Sequence, residues 1–135
     1  MAKNLIVVGM DGSDRAHDAL RFAVEEAHRR DCPIEVITTW RADSQDDTRE
    51  KAEQIQEHVR TRILAGQDDL PTIAFEVVQG RPEEVLVSAS ARADILVLGA
   101  HGVQSIRRAA LGSISEYVAR LASCPVVVIP VGAYQ

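Results

Sequence analysis

The residues from Gly99 to Ser113 follow a G-x2-G-x9-G-S skeleton, set by Gly99, Gly102 and the pair Gly112-Ser113. Glycine lacks a Cβ, so backbone N–H groups at such positions can approach a ligand closely, and positive φ is accessible. Gly112-Ser113 opens a helical pattern, and the free N–H groups and dipole at a helix start favour an anion. A phosphate fits this chemistry, with Ile114 carrying the next N–H of the same turn. His101, between the two glycines, either touches such a phosphate or is incidental. Arg107 and Arg108 supply positive charge, but adjacent arginines usually point apart, so at most one is expected at the ligand. A second chemical group lies near the start of the chain. Asp11 is followed by Gly12 and Ser13. Its carboxylate is placed to accept hydrogen bonds from ribose hydroxyls or an adenine amino group, or else from the amides of its own turn.

These residues need a frame, and the hydrophobic pattern provides one. Residues 5–9 form an unbroken apolar run, as expected of a strand covered on both faces. Over residues 14–30, Ala16, Ala19, Leu20, Ala23, Val24 and Ala27 recur at helical spacing, with Ser13 as N-cap. A second strand is expected at 34–40, then a polar loop at 41–47. The next helix is highly charged: Asp47 and Glu50 resemble a capping box, Ala52, Ile55, Val59 and Ile63 give a narrow apolar stripe, and Gly66 ends it. A third strand is expected at 72–78, a short helix from Pro82 after the Gly80-Arg81-Pro82 turn, and a fourth strand at 94–98. The glycine-bearing loop follows, then a helix at 113–123 with Ser113 and Glu116 as its capping box, and a last strand at 125–131. Alternating strands and helices predict a single α/β domain over residues 1–135: a doubly wound, five-stranded parallel sheet with helices on both faces. In such a sheet ligands bind beyond the carboxyl ends of the strands, where the strand order reverses. Asp11, the end of the second strand and the glycine loop all fall there.

The 135 residues are 46% hydrophobic and 26% charged, which suits a globular domain with a real core. A net charge of −5 argues against wrapping nucleic acid, and 4% aromatic content is too little for a base-stacking platform. No apolar run is long enough to span a membrane and the first residues carry no signal-like h-region, so a cytoplasmic location is expected. Cys32 and Cys124 are expected as buried thiols. His17, between Asp14 and Asp18, is not read as a metal ligand, and His28 and His58 are placed on charged helix faces. No metal site made by the protein is expected. Only two lysines occur, Lys3 and Lys51, beside thirteen arginines. With neither lysine near the glycine loop, and with no G-x4-G-K-[ST], G-x-G-x-x-G or G-x-S-x-G motif, P-loop, dinucleotide and hydrolase-elbow chemistry all lack their residues.

The segment from Leu96 to Ile129, with GAHG, LGSISEYV and CPVVVI, resembles the C-terminal half of the universal stress protein family. VVGMDGSDRAHDAL resembles the family's first strand and helix, and Gly80-Arg81-Pro82 its G-x-P turn. The resemblance implies the strand order 3-2-1-4-5 and, because the glycine pattern marks the ATP-binding members, bound ATP with any Mg2+ held through its phosphates. It implies that Gly99, Gly102, Gly112 and Ser113 contact ribose and phosphates, and that Asp11 and the second strand near Thr39 receive the adenosine end. Ala100 replaces a hydroxyl residue common in the family, which removes one side-chain contact and leaves the backbone cradle. The candidate binding set is therefore Asp11, Gly12, Thr39, Gly99, His101, Gly102, Gly112, Ser113 and Ile114, with no catalytic residue. The expected role is a nucleotide-dependent stress-response or regulatory module with little hydrolysis, against a weak ATPase or a dimeric scaffold with a vestigial pocket. The last strand is strongly apolar with prolines at both ends, as suits an edge, and homodimer pairing is expected through Val126 to Ile129.

Overall fold

The computed structural model describes residues 4–100 and 112–130. Five strands, β1 (Ile6–Gly9), β2 (Ile34–Trp40), β3 (Ile73–Gln79), β4 (Ile95–Gly99) and β5 (Val126–Ile129), form a parallel sheet in the order β3-β2-β1-β4-β5. Four α-helices connect them: α1 (Asp14–Arg30), α2 (Arg49–His58), α3 (Pro82–Ser90) and α4 (Ser113–Leu121). The two-residue period of β1 divides the core. Ile6 and Val8 pack with Ala16, Leu20 and Val59 on the α1 and α2 side, while Val7 packs with Leu86 and Val118 on the α3 and α4 side. Register is fixed by Ile6 opposite both Ile34 and Ile95, all three buried. One-residue slippage would turn each of these side chains to the other face of the sheet.

α1 forms as its sequence predicts. Ser13 caps it, its Oγ accepting the Ala16 N–H at 3.2 Å, and all six apolar positions are buried. α3 starts on Pro82, whose missing N–H costs nothing at that position. The α2 region differs from expectation. Thr48 is the N-cap, with Oγ1 accepting the Lys51 N–H at 3.2 Å, so Asp47 lies outside the helix. The helix then widens into a π-helical turn at Val59–Ile63 instead of running unchanged to Gly66. Four residues overshoot an α turn and undershoot a π turn, so the change keeps Ile55, Val59 and Ile63 packed on one core.

α4 also departs from the expected capping box. Gly112 is its N-cap and Ser113 its first helical residue, without a side-chain cap bond, and the helix ends at Leu121. Gly112 has φ −71°, an ordinary extended value, so positive φ is not what that glycine supplies. Cys32 is buried as expected, but Cys124 is only partly so. β5 is an edge strand, shorter than the expected 125–131. Pro125 accepts the Leu96 N–H through its carbonyl at 3.0 Å, and Pro130 has no N–H to extend the ladder. Among the described residues, no helix is long and apolar enough to cross a membrane.

Candidate functional site

A cleft of about 240 Å³ opens at the carboxyl ends of β1, β2 and β4, where connections leave the sheet in opposite directions. Gly9, Met10, Asp11 and Ser13 line it from β1 and the following turn. Ile37, Thr38 and Thr39 line it from β2, Leu98 and Gly99 from β4, and Ile114 and Ser115 from the start of α4. Ile55, Pro82 and Leu86 add apolar walls. The lining combines an apolar body with a few hydroxyls, carboxylates and backbone groups, the usual make-up of a small-molecule site.

The turn after β1 is held by its own side chains. Asp11 Oδ1 accepts the Ser13 N–H at 2.9 Å and the Ser13 hydroxyl at 2.6 Å, so the turn-forming role of Asp11 is present while the residue faces the cleft. Gly12 has φ +85°, and a Cβ there would lie 3.2 Å from Ile55 Cγ1. Glycine is required at that corner by conformation, and α2 closes tightly over it.

Gly99 carries a stricter constraint. A Cβ on it would lie 2.6 Å from the Arg15 carbonyl carbon and 2.7 Å from Arg15 Cβ, so β4 ends in direct contact with the first turn of α1. The missing side chain joins the helix to the strand, independently of any ligand. On the other side, Ser115 is buried and its hydroxyl donates to the Gly99 carbonyl at 3.4 Å, tying α4 to the same strand end. Among the described residues, the first backbone bond of α4 is Glu116 N–H to Gly112 C=O at 2.9 Å. The N–H groups of Ser113, Ile114 and Ser115 therefore precede the helical ladder, beside the cleft, as an anion-binding arrangement requires. Among the described residues no group of three or more His, Cys, Asp or Glu is placed to hold a metal ion.

A match to the universal stress protein family extends over residues 4–130. The chain belongs to that family. A universal stress protein of Mycobacterium tuberculosis is 34% identical over 131 residues, covering 92% of this chain and 47% of that protein. A second from the same organism is 32% identical over 133 residues, covering 91% of this chain and 44% of its own length. The chain thus spans about half the length of these curated relatives. Among solved structures, the universal stress protein UspA from Lactobacillus plantarum superposes with a TM-score of 0.74 at 25% identity, covering 96% of this chain and 99% of that one. A universal stress protein in complex with cAMP superposes with a TM-score of 0.73 at 26% identity, covering 93% and 96%.

On this universal stress protein fold, Asp11, Thr39, Gly99 and Ile114 converge on the cleft. Gly12 is exposed at the corner under Ile55, Gly112 is buried at the start of α4, and Ser113 is exposed beside it; none of these three lines the cavity. His101, Gly102, Arg107 and Arg108 lie outside the described residues. The sequence reading passed over Ser115, whose signal was a hydroxyl two residues beyond Ser113. It also passed over Gln56, a polar residue inside the apolar stripe of α2. Gln56 is buried, and its side-chain amide donates to the carbonyl oxygens of Glu76 at 2.6 Å and Val36 at 3.3 Å and to Thr38 Oγ1 at 3.3 Å. It fastens α2 to β2 and β3 behind the cleft wall.

Two histidines read as unrelated form a pair. His17 is buried on α1 and stacks on His58 of α2, with ring centroids 5.6 Å apart. His17 Nε2 is enclosed with no hydrogen-bond partner among the described residues. Burial, and then His58, hold the His17 pKa below its ordinary value, against the opposing pull of Asp14 and Asp11.

Proposed function

We propose that this universal stress protein is a single nucleotide-binding domain that retains ATP and responds to it as a regulatory module, with slow or no hydrolysis. The observation that carries this reading is the cleft at the sheet's reversal point, with the Asp11 turn and Thr39 at one side and the unladdered N–H groups of α4 at the other. The relative solved with cAMP, at 26% identity and TM-score 0.73, supports an adenine nucleotide as the ligand class. In this reading Asp11, Gly12 and Thr39 serve the adenosine end. Gly99, Gly112, Ser113 and Ile114 serve the phosphates, and any Mg2+ is carried by those phosphates.

Slow turnover follows from what the described cleft offers a triphosphate. Phosphoryl transfer is accelerated by positive charge placed on the transferring group. The cleft lining contains no arginine or lysine among the described residues, and Lys51 is exposed on α2. Neutral amides and hydroxyls bind ground-state phosphate about as well as the transition state, giving affinity without acceleration. We further propose a cytoplasmic homodimer paired through the β5 edge, beside which Tyr117 and Leu121 of α4 stand exposed.

The decisive experiment is mass spectrometry of small molecules released by denaturing freshly purified protein, together with calorimetric titration of the emptied protein with ATP. An adenine nucleotide in the released pool and saturable ATP binding are expected. Protein that carries no nucleotide and gains no thermal stability from ATP refutes the reading in favour of a scaffold. Phosphate release above about one per second would make it an enzyme instead. Sedimentation at micromolar concentration showing only monomer would remove the dimer.

A further inference from the structure

The loop that follows β2 places on the cleft lining an acidic residue, Asp47, whose carboxylate its own loop does not engage. Asp47 is released from helix capping because Thr48 takes that role. Its backbone is pinned at both ends: the carbonyl accepts the Arg41 N–H at 2.9 Å, and its N–H donates to Ser44 Oγ at 3.0 Å. The arginine of the same loop is directed elsewhere, since Arg41 pairs with Asp43 at 3.2 Å. Asp47 is half-buried, lines the cleft with Thr39, and its carboxylate has no hydrogen-bond or ion-pair partner among the described residues.

We propose that the Asp47 carboxylate reads the exocyclic amine of the bound base. This rests on the nucleotide reading above and adds to it a residue that sets base specificity. Three observations direct Asp47 to the base and away from the rest of the ligand. It belongs to the β2 side of the cleft, while the N–H groups that precede the ladder of α4, where phosphates are favoured, lie beyond β1 on the β4 side. A carboxylate next to phosphates would repel them. The β1 turn, which lies between those two sides in the strand order, already holds a carboxylate of its own, Asp11. The apolar side chains of Ile37 and Ile55 line the same cavity and suit the faces of a purine ring. An ionised carboxylate only accepts hydrogen bonds, so the complementary feature on the ligand is an N–H donor such as the 6-amino group of adenine. The pinned backbone means that little ordering of the loop is needed when the bond forms.

The test is a double-mutant cycle between protein and ligand. ATP and purine riboside triphosphate, which differs only in lacking the 6-amino group, are titrated into nucleotide-free wild type, Asp47→Ala and Asp47→Asn. For the wild type, loss of the amine is expected to weaken binding roughly tenfold or more, the scale of a hydrogen bond to a charged group. In Asp47→Ala the two ligands should bind within about twofold of each other. Asp47→Asn preserves side-chain volume and an acceptor oxygen, and is expected to discriminate at an intermediate level. Equal sensitivity to the amine in wild type and Asp47→Ala overturns the proposal while leaving nucleotide binding intact. So does a matching titration with 2′-deoxy-ATP in which Asp47→Ala removes sensitivity to the 2′-hydroxyl and not to the amine, which would assign Asp47 to the sugar. If wild type binds neither ATP nor its analogue, the nucleotide reading itself fails.

Discussion

Replacing Gly99 by alanine separates two reasons for a glycine in the lining of the proposed nucleotide cleft. The new Cβ would sit 2.6 Å from the Arg15 carbonyl carbon and 2.8 Å from its oxygen. Ordinary carbon contacts begin near 3.5 Å, so α1 and β4 must separate locally by roughly 0.9 Å. The obstacle is helix backbone, which cannot rotate away as a side-chain tip would. Inserting a methyl into packing of this kind costs about 1–3 kcal/mol. Urea unfolding of ligand-free protein should therefore show a lower midpoint with an unchanged slope, the signature of lost stability without a change in exposed surface. Nucleotide affinity should fall as well, because the first turn of α1 is capped by Ser13, whose N–H and hydroxyl hold Asp11 in place. If the ligand-free variant is as stable as wild type while nucleotide binding is lost, the glycine exists for the ligand and the packing argument is wrong.

Three further outcomes are expected. Gln56→Leu preserves volume but removes three hydrogen bonds made by a buried amide, and should destabilise the protein by about 1–3 kcal/mol in chemical denaturation; a neutral result would mean the strand carbonyls do not need it. Thr48→Ala should cost about 1 kcal/mol through the lost cap, whereas Asp47→Ala should leave unliganded stability nearly unchanged, a contrast that thermal unfolding can check. The third concerns pH: because the His17 pKa is lowered in the folded state, unfolding takes up a proton below the ordinary value of 6.5. The stability contributed by neutral His17 is complete above pH 6.5 and is lost as pH falls from 6.5 through the depressed folded-state value, with a slope of at most about 1.4 kcal/mol per pH unit for one proton. Asp14 and Asp11 oppose the depression while His58 and Arg21 deepen it, so His58→Gln should weaken the pH dependence and His17→Gln should abolish this part of it. A pH–stability profile between 5 and 7 that is the same in wild type and His17→Gln would exclude the mechanism.

The strand order and the location of the cleft were legible in the sequence because they rest on local periodicity and on resemblance to a known family. Continuous apolar runs identified the strands, 3.6-residue spacing identified α1, and the rule that ligands gather at strand carboxyl ends placed Asp11, Thr39 and Gly99 together. Helix starts were legible where one side chain had an unambiguous role, as with Ser13 and Pro82. They were misread where two neighbouring residues competed for the cap, as with Asp47 and Thr48, or where a glycine took the position ahead of a serine, as with Gly112 and Ser113. Capping is decided by one residue's backbone angles, which composition does not encode. Only the tertiary structure brought Gly99 against Arg15, Gln56 against Glu76 and His17 against His58. Each of these contacts joins residues from elements far apart in sequence, and depends on how closely a helix settles on the sheet. The sequence by itself determined that a parallel sheet would leave a cleft at the ends of β1 and β4. The packing of α1 and α2 over those ends decided which glycine is structural, which polar residue is buried, and that Asp47 lines the cleft.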